Sequence, residues 1–422
     1  MASALQPVHH ASMEGARKAL IIGGGIIGVT SAYTLARNGW AVTILDREPR
    51  VAMGASLGNG RQLSYSHTNA LAGPGLIPRM PAQLLGMDDA FRISLRPSLP
   101  LFAWLVRFLC NCTHGAFRAN TLACLQLAQE SRAALDELLE THDIGFERRR
   151  AGKLVLLRSN RELAAAQGSA ALRQAAGARL ALLTPEQALE IEPALIQAGG
   201  PLVGAIHSPD DETGNCSLFA DELLAKLQAH YGVDFLPREE ARAITRNGGA
   251  WHVTLGSGKS LECERLVLAT GHEANKLLRP LRLGLPIQSM KGYSFTAPTG
   301  PSAPVISVTD NSRRIVFTNL GGRMLVAGIA DMGNASAQVD ARRLETMRQA
   351  AQASLPHAAD YDAMESGWAG HRPMTPNSLP IIRELAPGLM ANLGHGMLGW
   401  TLAMGSAERL ARMVGPPGQN SN

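Results

Sequence analysis

Three glycines, Gly23, Gly25 and Gly28, stand in G-x-G-x-x-G spacing, and an acid, Asp46, follows them. These residues can hold a dinucleotide. Gly23 permits a tight turn, Gly25 lets the backbone approach a pyrophosphate, and Gly28 lets a helix pack closely on a sheet. A helix opening at Ile26 and Ile27 offers unpaired N–H groups and its positive dipole end to phosphate. Asp46, with Arg47 beside it, lies about 20 residues past the turn, where a carboxylate can accept ribose hydroxyls. An ordinary Gly-rich turn would account for the triplet alone. It does not account for a triplet flanked by an apolar strand at 19–22, a helix, a second apolar strand at 41–45 and an acid.

The elements around this unit follow from patterning. Residues 54–67, GASLGNGRQLSYSH, are too polar for a core strand and too long for a simple turn. Such a loop beside a nucleotide site is a source of backbone N–H donors. Helical periodicity dominates 100–139, a short strand occupies 153–157, and Ala-rich helices run to 190. Asn215 or Ser217 can cap a helix beginning near Leu218, which Gly232 stops. A strand at 233–235, a hairpin at 241–245 and 251–255, and a buried strand at 265–269 follow. That last strand ends in Ala269, Thr270 and Gly271, small residues that admit a ligand at the crevice of a doubly wound sheet.

From 281 to 368 the pattern turns strand-rich, at 292–296, 305–309, 315–319 and 324–328, which predicts an antiparallel sheet of a different domain. The text NLGHGMLGWTLAMGSAERLARM then repeats strand, glycine loop and helix. The expected fold class is therefore α/β: a discontinuous Rossmann-like domain at 18–88, 207–280 and 369–422. An α+β substrate domain built on an antiparallel sheet takes 89–206 and 281–368, and 1–17 form a disordered extension.

The chain of 422 residues, with 45% hydrophobic and 18% charged residues, reads as soluble and globular. A formal charge of +5 without long basic runs argues against a dedicated nucleic-acid binder. It leaves room for anionic substrates or an acidic lipid surface. Five cysteines are no disulfide framework and fit a reducing cytoplasm; Cys110 and Cys112 read as buried thiols, with no metal spacing around them. No run reaches the length of a membrane span, and the segment at 98–112, SLPLFAWLVRFLCNC, reads as a core helix in preference to a membrane-surface helix.

With these segments in hand, the chain resembles the FAD-dependent D-amino-acid dehydrogenase small subunits, within the wider D-amino-acid oxidase, glycine oxidase and sarcosine oxidase superfamily. The matching texts, in order, are GGGIIG with Asp46, ASLGNGRQLS, DETGNCSLF, MKGYSF, HRPMTPNSLPII and NLGHGMLGWTLAMGSAERLA. They span nearly everything from Lys18 to Met413. The resemblance implies FAD as cofactor, bound noncovalently and contacted from both ends of the chain. It implies that Gly394, Gly396 and Gly399 meet the flavin's pyrimidine edge, with Ser56, Asn59, Gly60 and Gln62 on the other side, and that His395, Trp400, Thr401 and Leu63 also contact the cofactor.

It further implies oxidation of a D-amino acid to its imino acid, then hydrolysis to a 2-oxo acid and ammonia. Electrons would pass to a quinone or other respiratory acceptor, with peripheral contact at the inner face of the cell membrane. An oxidase releasing peroxide, including one for glycine- or sarcosine-type amines, a D-proline or D-hydroxyproline dehydrogenase, and a noncatalytic flavin-binding subunit are the competing readings. The oligomeric state is left open. Arg372, in Gly-His-Arg-Pro, is expected to clamp the substrate carboxylate bidentately; a structural salt bridge is the alternative. Tyr293 is expected to close over the substrate, Lys291 to tune the flavin, and His395 to orient it. Their ordinary alternatives are a sheet tyrosine, a surface lysine and a capping histidine. His371 and Asn377 depart from the pattern of relatives, which puts side-chain preference in doubt.

Overall fold

A computed structural model describes residues 17–80, 83, 87–93, 98–333, 336, 338–365 and 367–417. All but Arg17 of the expected N-terminal extension lies outside them. The strand Lys18–Ile22 pairs in parallel with Ala41–Leu45 on one side and Arg265–Leu268 on the other. Leu389–Leu393 extends the sheet beyond Arg265–Leu268, and Asp234–Leu236 extends it beyond Ala41–Leu45. Ile381–Ala386 closes the first edge as the antiparallel arm of a hairpin. Parallel strands buried on both faces need continuous apolar text, which KALII, AVTIL and LMANL supply.

Helices Ile26–Arg37, Cys216–Tyr231 and Gly399–Val414 cover this sheet, packing Val29, Phe219, Leu223 and Ala403 into one core. Asn215 caps its helix through Oδ1, which accepts the Leu218 N–H at 3.2 Å, and Gly232 ends it at φ +63°. The two ends of the chain are thus bonded into one domain: Thr34 Oγ1 donates to Ala407 O at 3.1 Å and Asn392 Nδ2 to Ser31 Oγ at 3.0 Å.

The second domain is built on a nine-stranded sheet. The expected strands appear as Gln288–Pro298, Ser307–Asp310, Ile315–Asn319 and Arg323–Met332. The sheet is mixed and not purely antiparallel, because Ser307–Asp310 pairs in parallel with Lys153–Leu157, as does Arg323–Met332 with Phe91–Ile93. Gly204–Ser208 and Trp368–Met374 both belong to this sheet, so residues 207–208 and 369–374, expected in the Rossmann-like domain, lie on its strands. The hairpin grows to a separate three-stranded sheet, Ala241–Asn247, Ala250–Leu255 and Ser260–Cys263.

The helical run predicted over 100–139 is two helices, Leu99–Cys110 and His114–Thr141. The first buries Leu101, Trp104 and Phe108 and exposes Leu99, Phe102, Val106 and Leu109, so only its inner face is a core helix. Cys112 is buried as expected, whereas Cys110 faces outward.

Candidate cofactor and substrate site

Four neighbouring parallel strands end at one edge of the six-stranded sheet, and each runs into a loop singled out in the sequence. Leu393 leads to Gly394, Leu268 to Ala269, Thr270 and Gly271, Ile22 to Gly23, and Leu45 to Asp46. The glycines there are sterically required. Gly23 has φ +111°, and a Cβ on Gly28 would lie 1.8 Å from Gly23 O. The Asp46 carboxylate accepts the N–H of Gly24 and that of Glu48, fixing it under the turn. The helical ladder opens with Val29 N–H to Gly25 O at 3.0 Å, which leaves the N–H groups of Ile27 and Gly28 outside it. Ser56 Oγ accepts the Ile26 N–H at 3.2 Å. Arg47 pairs with Glu273 at 2.6 Å.

The glycine- and serine-rich loop lies as a ribbon across the nine-stranded sheet. Ser294 Oγ donates to Gly58 O at 2.9 Å and Thr318 Oγ1 to Gly60 O at 3.0 Å. Gln62 Nε2 donates to Ser307 Oγ at 2.8 Å, and Lys153 Nζ donates to Ser64 Oγ at 3.0 Å. Asn59 turns inward, its Oδ1 accepting the Arg61 N–H. Four strands therefore pin the ribbon from one side through side chains. Gln62–Leu63 forms a short strand with Glu212–Thr213, which accounts for the proximity of the GNGRQLS and DETG texts.

Arg372 sits on the edge strand Trp368–Met374, opposite Met290. Its guanidinium lies over Gly292, where a Cβ would come within 2.4 Å of Nη2. Trp368 fills the space left by Gly58 and Gly370 in the same way. Burial draws the Arg372 pKa down to about 10, and no described carboxylate pairs with it. A guanidinium held in a desolvated slot without an acid is prepared for an anion from outside. Met290 and Met374, on the Arg372 face, pack with Trp104 and Phe108 of the Leu99–Cys110 helix.

Several expected residues lie elsewhere. Tyr293 and Lys291 alternate with Gly292 on their strand and point to the opposite face from Arg372. Both are buried: Tyr293 Oη donates to Asp331 Oδ2 at 2.7 Å, Lys291 Nζ lies 5.3 Å from the Tyr293 ring centre and donates to Gln338 O, and Arg343 pairs with Asp331 at 2.8 Å. This network joins sheet to helix Ala341–Ser354 and does not reach the Arg372 slot. Period-two alternation forces the split once Gly292 and Arg372 share a face. The Trp400 ring packs on Phe219 and donates to Gly214 O, placing it in the core. Ile26 and Leu63 are likewise core side chains. His371 faces away from Arg372, bonded to Ser289 Oγ at 2.6 Å, with its ring centre 4.8 Å from that of His272.

Ser64, Lys153 and Trp368 escaped the sequence reading. Only the match of GNGRQLS could have drawn in Ser64; Lys153 and Trp368 arrive through strand pairing.

The open groups suit a flavin dinucleotide. Besides the free helix N–H groups, Thr270 Oγ1 and His395 Nε2 are buried without partners. Burial pushes the His395 imidazole down to about 3, so it is neutral. Gly394 and Gly396 take φ of +81° and +57°, folding this loop over the crevice. The C-terminal helix starts at Leu398 without a side-chain cap.

Fold and crevice define a dinucleotide-binding protein whose parallel sheet is joined to a second, mixed sheet. Residues 18–413 match the model of the DAO family, FAD dependent oxidoreductase, and the chain belongs to that family. It is 35% identical over 407 residues to D-amino acid dehydrogenase 2 of Ralstonia nicotianae, covering 93% of this chain and 95% of that one. It is 37% identical over 403 residues to a Methylobacterium sp. D-amino acid dehydrogenase, covering 94% and 95%. The glycine oxidase structure from Geobacillus kaustophilus aligns over 94% of both chains with a TM-score of 0.72 at 21% identity, a likeness of fold.

Proposed function

We propose that the protein oxidises D-amino acids to 2-oxo acids and ammonia. The observation that carries this reading is the Arg372 guanidinium, desolvated and without a protein carboxylate, on the sheet that the flavin-loop ribbon crosses. The Ralstonia and Methylobacterium relatives, named D-amino acid dehydrogenases, support the same substrate class. FAD, when bound, accepts the hydride leaving the substrate α-carbon.

The chain's own residues do the rest. Gly23, Gly25 and Gly28 with Asp46 hold the adenosine pyrophosphate half of the cofactor, and Thr270 with the Gly394–Gly399 loop closes on its other half. Arg372 grips the substrate carboxylate bidentately, and Met290, Met374 and Trp104 keep water from that ion pair. The imino product hydrolyses in water. A D-amino-acid panel with a reducible dye, run on wild type and Arg372→Lys, tests this. A sharp rise in KM with FAD retained is expected, and an unchanged KM removes Arg372 from the role.

The electrons pass to an acceptor other than oxygen, a membrane quinone in this reading. Its support is the outward face of the Leu99–Cys110 helix, where Leu99, Phe102, Val106 and Leu109 are exposed. Residues 90–129 also contain no Asp or Glu and carry Arg107 and Arg118. An apolar face with basic flanks suits an anionic lipid surface. No helix among the described residues is long and apolar enough to cross a membrane. Binding to vesicles rich in anionic lipid, lost in Phe102→Ser/Val106→Ser, checks the contact. Stoichiometric peroxide in the dye-free assay would replace dehydrogenase with oxidase.

A further inference from the structure

We propose that Lys153 is a positioning residue for the flavin, its ammonium holding Gln62 and Ser64 in place and lending positive charge to that end of the cofactor crevice. This rests on the reading that the ribbon and the Gly394–Gly399 loop hold FAD.

Lys153 begins the strand Lys153–Leu157 and is only 6% exposed. Its Nζ donates to Gln62 Oε1 at 2.9 Å and to Ser64 Oγ at 3.0 Å, both neutral oxygens of the ribbon. The other ends of these two residues are tied as well. Gln62 Nε2 is spent on Ser307 and Thr309, and the Ser64 N–H donates to Thr401 Oγ1 at 2.9 Å. Thr401 lies in the first turn of the C-terminal helix, directly after the Gly394–Gly399 loop. Lys153 and Thr401 thus clamp the Gln62–Ser64 segment from opposite sides.

An ammonium buried on two neutral oxygens is an expensive way to hold a loop, since burying a charge is costly unless it is paired. Asp211, the facing acid, makes no ion pair with it: Asp211 Oδ1 accepts the Ser66 N–H at 2.7 Å, and Oδ2 has no partner. The other facing groups are Arg173, which bonds Ser66 O and His67 Nδ1, and His67, which burial keeps neutral. Burial draws Lys153 down to about 8 and Asp211 up to about 6, so near pH 7 Lys153 and Arg173 are cations against one acid and the buried cluster carries a net positive charge. An uncompensated cation beside the crevice favours negative charge placed there. Bound FAD would gain negative charge on reduction, which such a cation would stabilise.

The test compares Lys153→Met, Lys153→Arg and Gln62→Glu holoenzymes by sulfite titration, which bleaches the flavin as the anion adds to it, and by midpoint potential. Lys153→Met is expected to weaken sulfite binding about tenfold, the order of one unscreened charge near a partly buried site, and to lower the two-electron potential by the equivalent of about 30 mV. Gln62→Glu places a carboxylate on the ammonium and should move both readouts the same way. Lys153→Arg should hold them near wild type. Wild-type sulfite affinity in Lys153→Met or Gln62→Glu overturns the proposal, as does a Lys153→Arg protein that behaves like Lys153→Met. Neither readout uses an amino acid, so failure of the substrate reading is seen separately in the dye assay.

Discussion

The guanidinium of Arg372 rests on the bare backbone of Gly292, diagonally across the strand pair, with no room for even one carbon between them. Gly292 is the platform on which the arginine lies flat. Gly292→Ala would put a Cβ 2.4 Å from Nη2, so the side chain must lift. We expect KM for D-amino acids to rise about tenfold, the loss of roughly 1.4 kcal/mol of carboxylate binding, with FAD occupancy unchanged. Steady-state kinetics on the yellow protein measures it, and a wild-type KM would mean that Arg372 does not meet the carboxylate.

Tyr293 makes the opposite case. Its phenol donates to Asp331 on the face away from Arg372, and burial, together with that carboxylate, raises its pKa. Tyr293→Phe should leave kcat and KM within about twofold while lowering stability by about 1–3 kcal/mol, the cost of stripping a donor from a buried acceptor. Thermal melting and kinetics on one preparation separate the two. A tenfold rise in KM without loss of stability would return Tyr293 to the substrate.

That contrast marks how far sequence carries. The βαβ unit was legible because strand, turn glycines, helix and acid fall within one stretch of chain, and the second glycine loop because Gly394 repeats that local pattern. The fold class followed from where strand-rich and helix-rich text alternate. The faces of Gln288–Pro298 were not legible: KGYS reads equally well with Tyr293 or Gly292 toward the ligand, and only pairing with Arg372 decides. Lys153 was hidden for a related reason. Its partners, Gln62 and Ser64, lie some ninety residues away, and a lone lysine before an apolar strand reads as a solvated end.

Gly28 tests the cofactor cradle. An added Cβ would lie 1.8 Å from the carbonyl oxygen of Gly23, itself held at φ +111° beneath Ala269. The helix must therefore move outward, taking the N–H groups of Ile27 and Gly28 with it. Gly28→Ala is expected to purify largely colourless and to melt lower, by about 1–3 kcal/mol of overpacking strain plus the lost contribution of bound cofactor. The ratio of flavin to protein absorbance reports the first effect. Full FAD occupancy would show that the pyrophosphate does not use this turn.

His395 offers a pH test. Burial holds its imidazole near 3, whereas in the unfolded chain it titrates near 6.5. Between those values the unfolded state binds the additional proton, so stability is complete above about pH 6.5 and falls as pH drops toward 3. At pH 5 this one group should cost roughly 2 kcal/mol relative to neutral pH. His272, held down to about 4 by burial and by the neighbouring His371, contributes in the same direction, so acid lability will remain when His395 is removed. The informative quantity is thus the difference between proteins. FAD-saturated His395→Gln should lose less melting temperature than wild type between pH 7.5 and 5.0, by a few degrees. Parallel losses in the two proteins would mean that His395 is protonated or reaches water in the folded holoenzyme. It could not then be the neutral, buried imidazole facing the cofactor crevice.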